Sequence, residues 1–458
     1  MCGIVGSNFH DFSIVENALT SISHRGKDCF QVVNLNNFII GANRLSIQDL
    51  SPNSNQPLFN EDKSICIAYN GELWTNKYNL NSDIQAVLKY YEEYNENMFK
   101  MLDGMFAIAI WNKNKLILAR DYIGEIPIYY HYNNGKLCFG SELKAFKEFN
   151  CSEIKLIQPG HYLVLENNIL WEHKYYTLPE QEITDDKETI IHNFRSILET
   201  ATKKRIPKEV DYAVLLSGGI DSTIITYLLA KENPNLQAFT VHLGDDKSSK
   251  RINDLYYARE VSKWLNIKLN EVIISEQDVL DTIEETIKVI EDKSWTQVAS
   301  GLSHILMAKQ IEGKFKVVFG GGGSDELFAS YPSQKRWSWK DDQYDGARKN
   351  LIKNIHKNNI IRENKSLLWK TIELRSPFLD KDFVEYAINI PIKYRLEKGR
   401  MKPILRYAFP EIPEHILWRE KICEGEGVGV DPILKDKKDD IKAIYNKFYN
   451  KMLVQNRF

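Results

Sequence analysis

The 458-residue sequence lacks several features that would place it in a specialised class of proteins. Its 60 basic and 62 acidic residues give a formal net charge of −2, so neither sign forms the excess that indicates a nucleic-acid or membrane surface. The longest strongly apolar run, Met105–Trp111, is far shorter than the about 20 residues of a membrane span. Internal repeats and low-complexity segments are lacking too. We therefore expect neither nucleic acid nor a membrane among its partners.

Cysteine is sparse, with six residues, and shows no metal-binding spacing. No Cys-x-x-Cys pair occurs, and no Cys/His spacing is typical of a zinc site. The start of the sequence has neither the basic flank nor the long apolar segment of a secretory signal. This usage favours a reducing compartment, and we predict a cytoplasmic protein. Apart from position 2, we interpret the first-half cysteines as core or surface thiols: Cys29, Cys66, Cys138 and Cys151.

The two halves of the chain show different secondary-structure patterns. At about 100–200 residues per domain, the length predicts two or three domains. Up to residue 176, short β-type runs outnumber helical patterns, which cover Ile14–Ile22 and Ile84–Tyr94. We predict an α+β domain of stacked antiparallel sheets flanked by helices at 2–176, then an acidic linker at 177–189. The predicted strands are Cys2–Asn8, Phe30–Val33, Phe38–Ala42, Ser64–Tyr69, Met105–Trp111, Lys115–Ala119, Ile128–Tyr132 and Tyr162–Leu165.

Strands alternate with helical patterns in the second half, residues 190–458. This alternation is typical of βαβ units and a parallel sheet, so we predict an α/β domain. Beyond the last of these strands the sequence is mostly helical in pattern. The predicted strands are Tyr212–Leu216, Ala238–His242, Glu271–Ile274 and Lys316–Phe319.

Cys2 is the first candidate catalytic residue. A small second residue favours removal of the initiator Met, which would leave Cys2 with a free α-amine. Thiolate is the nucleophilic form of cysteine, and an α-amine with a pKa of about 7.7–8.0 is a better base near neutral pH than lysine, at about 10.4. The terminal amine would therefore act as general base beside its own side chain. The alternative is a small residue that merely begins a strand.

The motifs that follow Cys2 resemble those of class II glutamine amidotransferases. The resemblance implies an Ntn-hydrolase-type domain that releases ammonia from glutamine, with Cys2 as nucleophile. Each motif alone is a weak indication of this family, but their joint occurrence at these separations is quite specific for it. They are the start Cys2-Gly3-Ile4, the segment Arg44–Ile47, the motif Asn70-Gly71-Glu72, and Asp83 at the head of a helical run.

The resemblance also implies roles that the residue chemistry supports. The Arg44 guanidinium would clamp the α-carboxylate of glutamine, and Glu72 and Asp83 would hold its α-ammonium. The Asn70 amide and the Gly71 N–H would form an oxyanion hole. Singly, these residues also fit an ion pair, a hairpin turn or a helix cap. The implied glutamine-binding residues are Arg44, Ile47, Asn70, Glu72 and Asp83, and the implied catalytic residues of this domain are Cys2, Asn70 and Gly71.

A glycine loop joins the predicted strand Tyr212–Leu216 to a helix. Its glycines allow close approach of an oxyanion, and the helix start supplies free N–H groups and a positive dipole end. No Gly-Lys-Ser/Thr follows, so the loop is not a Walker A motif. It resembles the pyrophosphate loop of N-type ATP pyrophosphatases, which implies ATP binding and Mg²⁺ held partly by Asp221. The implied ATP-binding residues here are Leu216, Ser217, Gly218, Gly219, Asp221 and Ser222.

Later segments extend this resemblance. Asp325 follows a predicted strand, at the edge where open α/β sheets bind ligands, and would be the second Mg²⁺ carboxylate. Glu373–Asp380 matches an E-x-R-x-P-F-L-D pattern. Lys421 lies in a segment that resembles the loop whose lysine stabilises charge on the α-phosphate. Val241, Gly321 and Gly322 would complete the ATP site.

Both halves in this order resemble glutamine-dependent asparagine synthetases over nearly the whole chain. The resemblance implies that ammonia released at Cys2 passes through an internal tunnel, shielded from water. The second domain would adenylate a carboxylate, by default L-aspartate, for amidation. A homodimer is a further expectation of this kind.

Gly322 departs from the family pattern and leaves the acceptor open. The synthetases carry a Glu there that is implicated in amide formation, and β-lactam synthetases carry a Tyr. A glycine supplies no proton acceptor and leaves space, so we name Glu373 as the substitute catalytic base. The segment 291–296 also differs from the usual substrate wall. A uronic acid sugar, a peptide or a natural-product acid therefore stands beside aspartate as a candidate acceptor.

Three other functions remain as alternatives on the same scaffold. A ring-closing enzyme like β-lactam synthetases or lasso-peptide cyclases shares the ATP domain, but such enzymes often lose the glutaminase residues that this chain keeps. An RNA-thiolating enzyme would need reactive cysteines near the ATP loop and a basic surface, whereas only Cys423 follows residue 151. A non-catalytic regulator is supported by Gly322 alone.

Overall fold

Antiparallel strands dominate the first 174 residues. The computed structural model describes residues 1–244, 254–331, 341–357, 359–397, 400–449, 452 and 454–455. The strands of the first half are β1 (Cys2–Ser7), β2 (Cys29–Leu35), β3 (Phe38–Arg44), β4 (Leu58–Phe59), β5 (Ile65–Thr75), β6 (Asp103–Asn112), β7 (Lys115–Arg120), β8 (Tyr129–Asn133), β9 (Lys136–Gly140), β10 (Ile154–Leu156), β11 (His161–Glu166) and β12 (Ile169–Lys174). Its helices are α1 (Phe12–Thr20), α2 (Asp83–Tyr94) and α3 (Ala145–Glu148).

These strands form two stacked antiparallel sheets. The first has the order β2-β3-β1-β9-β8-β10, and the second has the order β12-β11-β7-β6-β5-β4. Residues from both sheets, among them Ile4 and Ala109, share one core between them. Helices α1 and α3 cover the first sheet, and α2 covers the second. The predicted α+β class, with stacked sheets and outer helices, is confirmed.

Strand β6 shows why the longest apolar run of the sequence belongs to a sheet. Successive side chains of a strand point to opposite faces. Ala107 and Ala109 lie in the core between the two sheets, whereas Phe106 and Ile108 pack with α2 on the other face. Because both faces of β6 are covered, consecutive positions are apolar.

The second half alternates strands and helices. Its strands are β13 (Tyr212–Leu215), β14 (Gln237–Leu243), β15 (Lys268–Ile274), β16 (Val317–Phe319), β17 (Glu373–Arg375), β18 (Leu396–Glu397), β19 (Arg400–Met401) and β20 (Val454–Gln455). Its helices are α4 (Lys187–Lys203), α5 (Ile220–Glu232), α6 (Asp254–Leu265), α7 (Glu276–Ile290), α8 (Trp295–Ile311), α9 (Ser324–Leu327), α10 (Asp341–Asn354), α11 (Asn359–Leu368), α12 (Lys381–Asn389), α13 (Ile392–Arg395), α14 (Pro403–Ala408), α15 (Glu414–Leu417), α16 (Glu424–Val428), α17 (Asp431–Asp436) and α18 (Lys438–Tyr449).

Five strands of this half form a parallel sheet in the order β15-β14-β13-β16-β17. The predicted α/β class is therefore confirmed. Strand β13 pairs with both β14 and β16, so the strand order reverses direction between β13 and β16. Ligands of open α/β sheets bind at the carboxyl ends of strands at such a switch point. The loops that follow β13 and β16 are thus the expected walls of a ligand site.

The sheets differ from the sequence-based prediction in the length of one strand and in several strands that were not predicted. Strand β5 continues through Asn70-Gly71-Glu72 to Thr75 instead of ending at Tyr69, because this segment pairs in register with β6. The prediction missed the short strands β4, β9, β10 and β12 in the first half and β17 to β20 in the second. Of these, β17 is only three residues long and forms the edge of the parallel sheet beside β16. The E-x-R-x-P-F-L-D motif therefore begins within a strand.

Buried charges join the two halves of the chain. Glu291 is fully buried and accepts backbone hydrogen bonds from Leu143 (3.0 Å) and Lys144 (2.7 Å) while pairing with Lys365. Strand β20 also adds to the first sheet, parallel to β10. The halves thus share a packed interface. In the part of the chain that the structure describes, no helix is long and apolar enough to cross a membrane.

Candidate functional site

Cys2 lies buried in β1, beside Arg44 on β3 in the strand register. Its Sγ accepts a hydrogen bond from Gln56 Nε2 at 3.3 Å, and its backbone N donates to Asn70 Oδ1 at 2.8 Å. Burial raises the pKa of the Cys2 thiol, and the nearby positive charges of the terminal amine and Arg44 oppose that rise. Gln56, which the sequence-based reasoning missed, therefore positions the sulfur.

Asn70 carries an unused donor beside the sulfur. Its Oδ1 is occupied by the Cys2 N–H, and its Nδ2 is buried with no hydrogen-bond partner in the described part of the chain. Buried donors are nearly always paired, so an unpaired one needs an explanation. A Cβ on the neighbouring Gly71 would lie 2.1 Å from the Met105 carbonyl oxygen, so only glycine fits there. This donor is available to a negatively charged oxygen near Cys2.

Glu72 and Asp83 form a buried acidic pair near Asn70. Gln48 Nε2 donates to Glu72 Oε2 at 2.5 Å, and Arg375 lies 3.3 Å from the same oxygen. The Leu73 N–H donates to Asp83 Oδ2 at 3.0 Å, and Asp83 Oδ1 has no partner among the described residues. Burial raises the pKa of Asp83 to about 7 and also raises that of Glu72. A cationic ligand would restore ionisation of both carboxyls.

The Arg44 guanidinium holds the loop at 48–55. Its two terminal nitrogens donate to the Ser51 carbonyl (2.8 Å), to Asn55 Oδ1 (3.0 Å) and to the Asp49 carbonyl. Ile47 is buried at the start of this loop. Arg44 is therefore placed beside Cys2 but is already engaged. A bidentate grip on a carboxylate requires the loop to release some of these bonds.

The glycine loop after β13 forms a compact turn at the start of α5. Ser217 Oγ lies 3.1 Å from Ser222 Oγ and accepts a hydrogen bond from the Gly219 N–H at 3.3 Å. Gly218 has a φ of 69°, and a Cβ there would lie 2.4 Å from Tyr257, so both backbone conformation and space require glycine. The loop brings hydroxyls and the N-terminus of α5 together, which suits a phosphate group.

Two carboxylates, Asp221 and Asp325, share one ammonium group. Lys402 Nζ donates to Asp221 Oδ2 at 2.7 Å and to Asp325 Oδ1 at 2.6 Å, and Lys421 Nζ donates to Asp325 Oδ2 at 2.6 Å. The two lysines lower the pKa of Asp325 despite its burial. Carboxylates that share one ammonium are close enough to share one divalent cation, and their oxygens suit Mg²⁺. The pair therefore fits the predicted metal site.

A cavity of about 830 Å³ opens at this edge of the parallel sheet. Arg400, Lys402 and Arg406 also line it, and the sequence-based reasoning did not select them, because they come from a segment without a motif. Gly218, which was also predicted to bind ATP, is not part of the cavity lining. Its backbone packs against Tyr257. The predicted residues that line the cavity are Leu216, Ser217, Gly219, Asp221, Ser222, Val241, Gly321, Gly322, Asp325 and Lys421.

Glu373 lies at the interface between the halves, away from this lining. It is fully buried on β17, where Oε2 accepts from the Met1 α-amine at 2.7 Å and Oε1 accepts from Arg375 Nε at 2.8 Å. These cations lower the pKa of Glu373 against the effect of burial. Leu374, its neighbour in the strand, points to the cavity instead. Glu373 is therefore on the side of the strand that faces Cys2 and Met1.

Two family models match this chain. A model of glutamine amidotransferase domains matches residues 1–173, and a model of asparagine synthase matches residues 193–351 and 337–447. The chain belongs to the glutamine-hydrolysing asparagine synthetase family. Asparagine synthetase [glutamine-hydrolyzing] 3 of Arabidopsis thaliana is 31% identical over 470 residues, which cover 95% of this chain and 78% of that protein. A probable asparagine synthetase of Dictyostelium discoideum is 28% identical over 492 residues, 94% of this chain and 85% of that protein.

One solved structure gives only a weak likeness. Glutamine phosphoribosylpyrophosphate amidotransferase from B. subtilis covers 59% of this chain and 66% of that chain, with 15% identity and a TM-score of 0.35. A score this low supports no conclusion about the present chain. The family assignment depends on the sequence matches to the asparagine synthetases.

Proposed function

We propose that this member of the family is a glutamine-dependent, AMP-forming amide synthetase whose acceptor is L-aspartate, giving L-asparagine. The observation that carries the proposal is the presence of two separate centres in one chain. One joins Cys2 to Asn70, whose Nδ2 has no partner within the described residues, and lies near the buried Glu72 and Asp83 pair. The other places a phosphate-type loop and a carboxylate pair in one cavity. The acceptor is taken from the names of the relatives.

The first centre supports glutamine hydrolysis. After Met1 is removed, the Cys2 α-amine would take the proton of the thiol, and the sulfur would attack the side-chain amide of glutamine. The unpaired Asn70 Nδ2 and the Gly71 N–H would stabilise the oxyanion of the tetrahedral intermediate. Ammonia leaves, and water then hydrolyses the γ-glutamyl thioester.

Glutamine itself would be held by charges of both signs. Its α-ammonium would enter between Glu72 and Asp83, whose buried carboxyls have raised pKa values and lie near Arg375. Its α-carboxylate would reach Arg44 beside Ile47, which accounts for the placement of Arg44 next to Cys2. Binding in this way would pair the Asp83 Oδ1 atom, which has no hydrogen-bond partner within the described residues.

The second centre supports adenylation of a carboxylate. ATP would lie with its phosphates on the loop at 217–222 and its base toward Val241, and Asp221 and Asp325 would hold Mg²⁺. Bound Mg²⁺ would neutralise charge on the phosphates. Lys421 and Lys402 donate to the carboxylates that would hold the metal and would stabilise charge that develops on the α-phosphate. The acceptor carboxylate attacks the α-phosphorus, giving an acyl-adenylate and pyrophosphate.

Ammonia would pass between the centres through the packed interface. We assign glutamine hydrolysis to residues 2–176, a linker to 177–189 and synthesis to residues 190–458. Transfer inside the protein keeps ammonia unprotonated and therefore nucleophilic. A cytoplasmic location and a homodimer remain predictions.

The test is a product assay with glutamine, ATP, Mg²⁺ and aspartate. We expect glutamate, AMP, pyrophosphate and asparagine, measured by mass spectrometry. Cys2→Ala should abolish glutamine use while ammonium chloride still supports synthesis. Formation of ADP, or the absence of AMP with aspartate when another acid produces it, would contradict the proposal.

A further inference from the structure

Gly322 and Glu363 compete for the same space in the cavity. Glu363 lies on α11 and lines the cavity together with Gly322. A Cβ built on Gly322 would lie 2.8 Å from Glu363 Oε2 and 3.3 Å from Ser376 Oγ. A larger residue at position 322 would therefore have to displace the Glu363 carboxylate. The chain thus brings a carboxylate to this spot from α11 rather than from the loop after β16.

Only one oxygen of the Glu363 carboxylate accepts a hydrogen bond within the described residues. Arg362 Nη2 donates to its Oε1 at 3.2 Å, whereas Oε2 has no hydrogen bond within the described residues. Only 14% of the side chain is exposed. Burial raises the pKa of Glu363, and the positive charge of Arg362 opposes that rise. Oε2 is therefore free to accept a hydrogen bond from a group in the cavity.

Four of the other acids that line the cavity already have partners within the described residues. Asp221 and Asp325 pair with Lys402. Asp254 pairs with Arg419. Glu326 Oε1 accepts hydrogen bonds from the Tyr331 hydroxyl and from Asn359 Nδ2, each at 2.5 Å. Both carboxylate oxygens of Asp221 and of Asp325 accept hydrogen bonds. Glu363 differs from these two acids because its Oε2 lies at the cavity with no hydrogen bond within the described residues.

Glu363 also lies where the two halves meet. Its neighbour Asn364 accepts from Arg25 Nη2 at 3.2 Å and donates toward Met1 Sδ at 3.8 Å. One turn of α11 therefore contacts the N-terminal half through Asn364 and the cavity through Glu363. A small nucleophile that crosses the interface beside Cys2 would enter the cavity next to Glu363.

We propose that Glu363 is the proton acceptor of the amide-forming step, and this inference rests on the proposed function. Ammonia adds to the acyl carbon of the adenylate, so a C–N bond forms and the carbonyl electron pair moves to oxygen. Glu363 Oε2 takes one proton from the new –NH₃⁺ group. The carbonyl then re-forms, the bond from carbon to the AMP oxygen breaks with its electron pair leaving on AMP, and the protonated Glu363 later loses its proton to water.

The experiment compares Glu363→Gln with the wild type and with Glu276→Gln, a matched change at an exposed glutamate outside the cavity lining. Aspartate, ATP, Mg²⁺ and ammonium chloride are supplied, and pyrophosphate and asparagine are measured separately. For Glu363→Gln we expect pyrophosphate release to continue and asparagine formation to fall by about 10²-fold or more, as loss of a general base does. Glu276→Gln should match the wild type.

A second nucleophile and a swapped carboxylate separate proton transfer from binding. Hydroxylamine forms an adduct that loses its proton more readily, so Glu363→Gln should retain much more hydroxamate formation than asparagine formation. The double variant Gly322→Glu with Glu363→Ala should recover asparagine formation relative to Glu363→Ala alone, because the carboxylate returns to the same space from the opposite wall.

The outcomes distinguish this inference from the proposed function. A wild type that forms no AMP with aspartate refutes the proposed function and this inference with it. An active wild type with an unchanged ratio of asparagine to pyrophosphate in Glu363→Gln refutes this inference alone. A variant that changes only the KM for aspartate would also refute it, because Glu363 would then bind the acceptor without moving a proton.

Discussion

The α-amine of Met1 lies 2.7 Å from Glu373 Oε2, so the first residue of one half forms an ion pair with a strand of the other. Met1 is almost fully buried, and both partners lie close to Cys2 and Arg375. Removal of Met1 would leave the Glu373 carboxylate with Arg375 as its cation and place a new α-amine on Cys2. The N-terminal processing of this chain would thus change the charges at the interface as well as the nucleophile.

We predict that the active glutaminase begins at Cys2. With Met1 retained, the Cys2 nitrogen is an amide that donates to Asn70 Oδ1 and cannot act as a base. Protein that retains Met1, produced while methionine aminopeptidase is inhibited, should release glutamate far more slowly than processed protein. Intact-mass measurement gives the fraction of each form. Equal glutaminase rates for the two forms would contradict the role of the terminal amine.

We predict that the KM for glutamine falls as pH rises through about 7, because Asp83 has a pKa of about 7 and its ionised form attracts the α-ammonium. Asp83→Asn should raise the KM and flatten this pH dependence. Synthesis from ammonium chloride by the same variant, measured at constant free ammonia, should keep its wild-type pH profile. If the KM of Asp83→Asn still depends on pH as in the wild type, a group other than Asp83 causes that dependence.

The raised pKa of Asp83 also predicts how the stability of the protein changes with pH. The pKa of Asp83 is raised from 3.8 to about 7 in the folded protein, so between these pH values the native state binds more protons than the unfolded state. Its contribution to stability is therefore lost progressively as pH rises through that window. Denaturant unfolding of Asp83→Asn and wild type should show that the variant loses less stability between pH 5 and pH 8.

Contiguous motifs made part of the site predictable from sequence, and residues without a motif were missed. Cys2 and the loop at 217–222 carry their chemistry within a few positions, so the pattern alone indicates them. Lys402 and Glu363 reach the cavity from segments whose local sequence has no such pattern. Tertiary packing decides their placement, and it also extends β5 through Asn70-Gly71, a dipeptide that by itself favours a hairpin turn.

Lys402 should be essential for adenylation and unimportant for glutamine hydrolysis. It bridges Asp221 and Asp325 from a left-handed backbone position with φ 57°, a strained conformation of the kind found at functional sites. Lys402→Met should lower AMP formation by about 10²–10³-fold, the usual loss for one electrostatic stabiliser. The exposed Lys393→Met is the matched control. Unchanged AMP formation in Lys402→Met would make the lysine a structural bridge only.

The unpaired amide of Asn70 gives the sharpest test of the first centre. Asn70→Asp keeps an oxygen to accept the Cys2 N–H but loses the buried Nδ2 donor. We expect the glutaminase kcat to fall by about 10²–10³-fold with little change in KM, because the donor acts on the oxyanion and not on bound glutamine. Asn112→Asp, a matched change on the neighbouring strand β6, should leave kcat unchanged. Synthesis from ammonium chloride should persist in both variants. A rise in KM without a fall in kcat would instead assign Asn70 to glutamine binding.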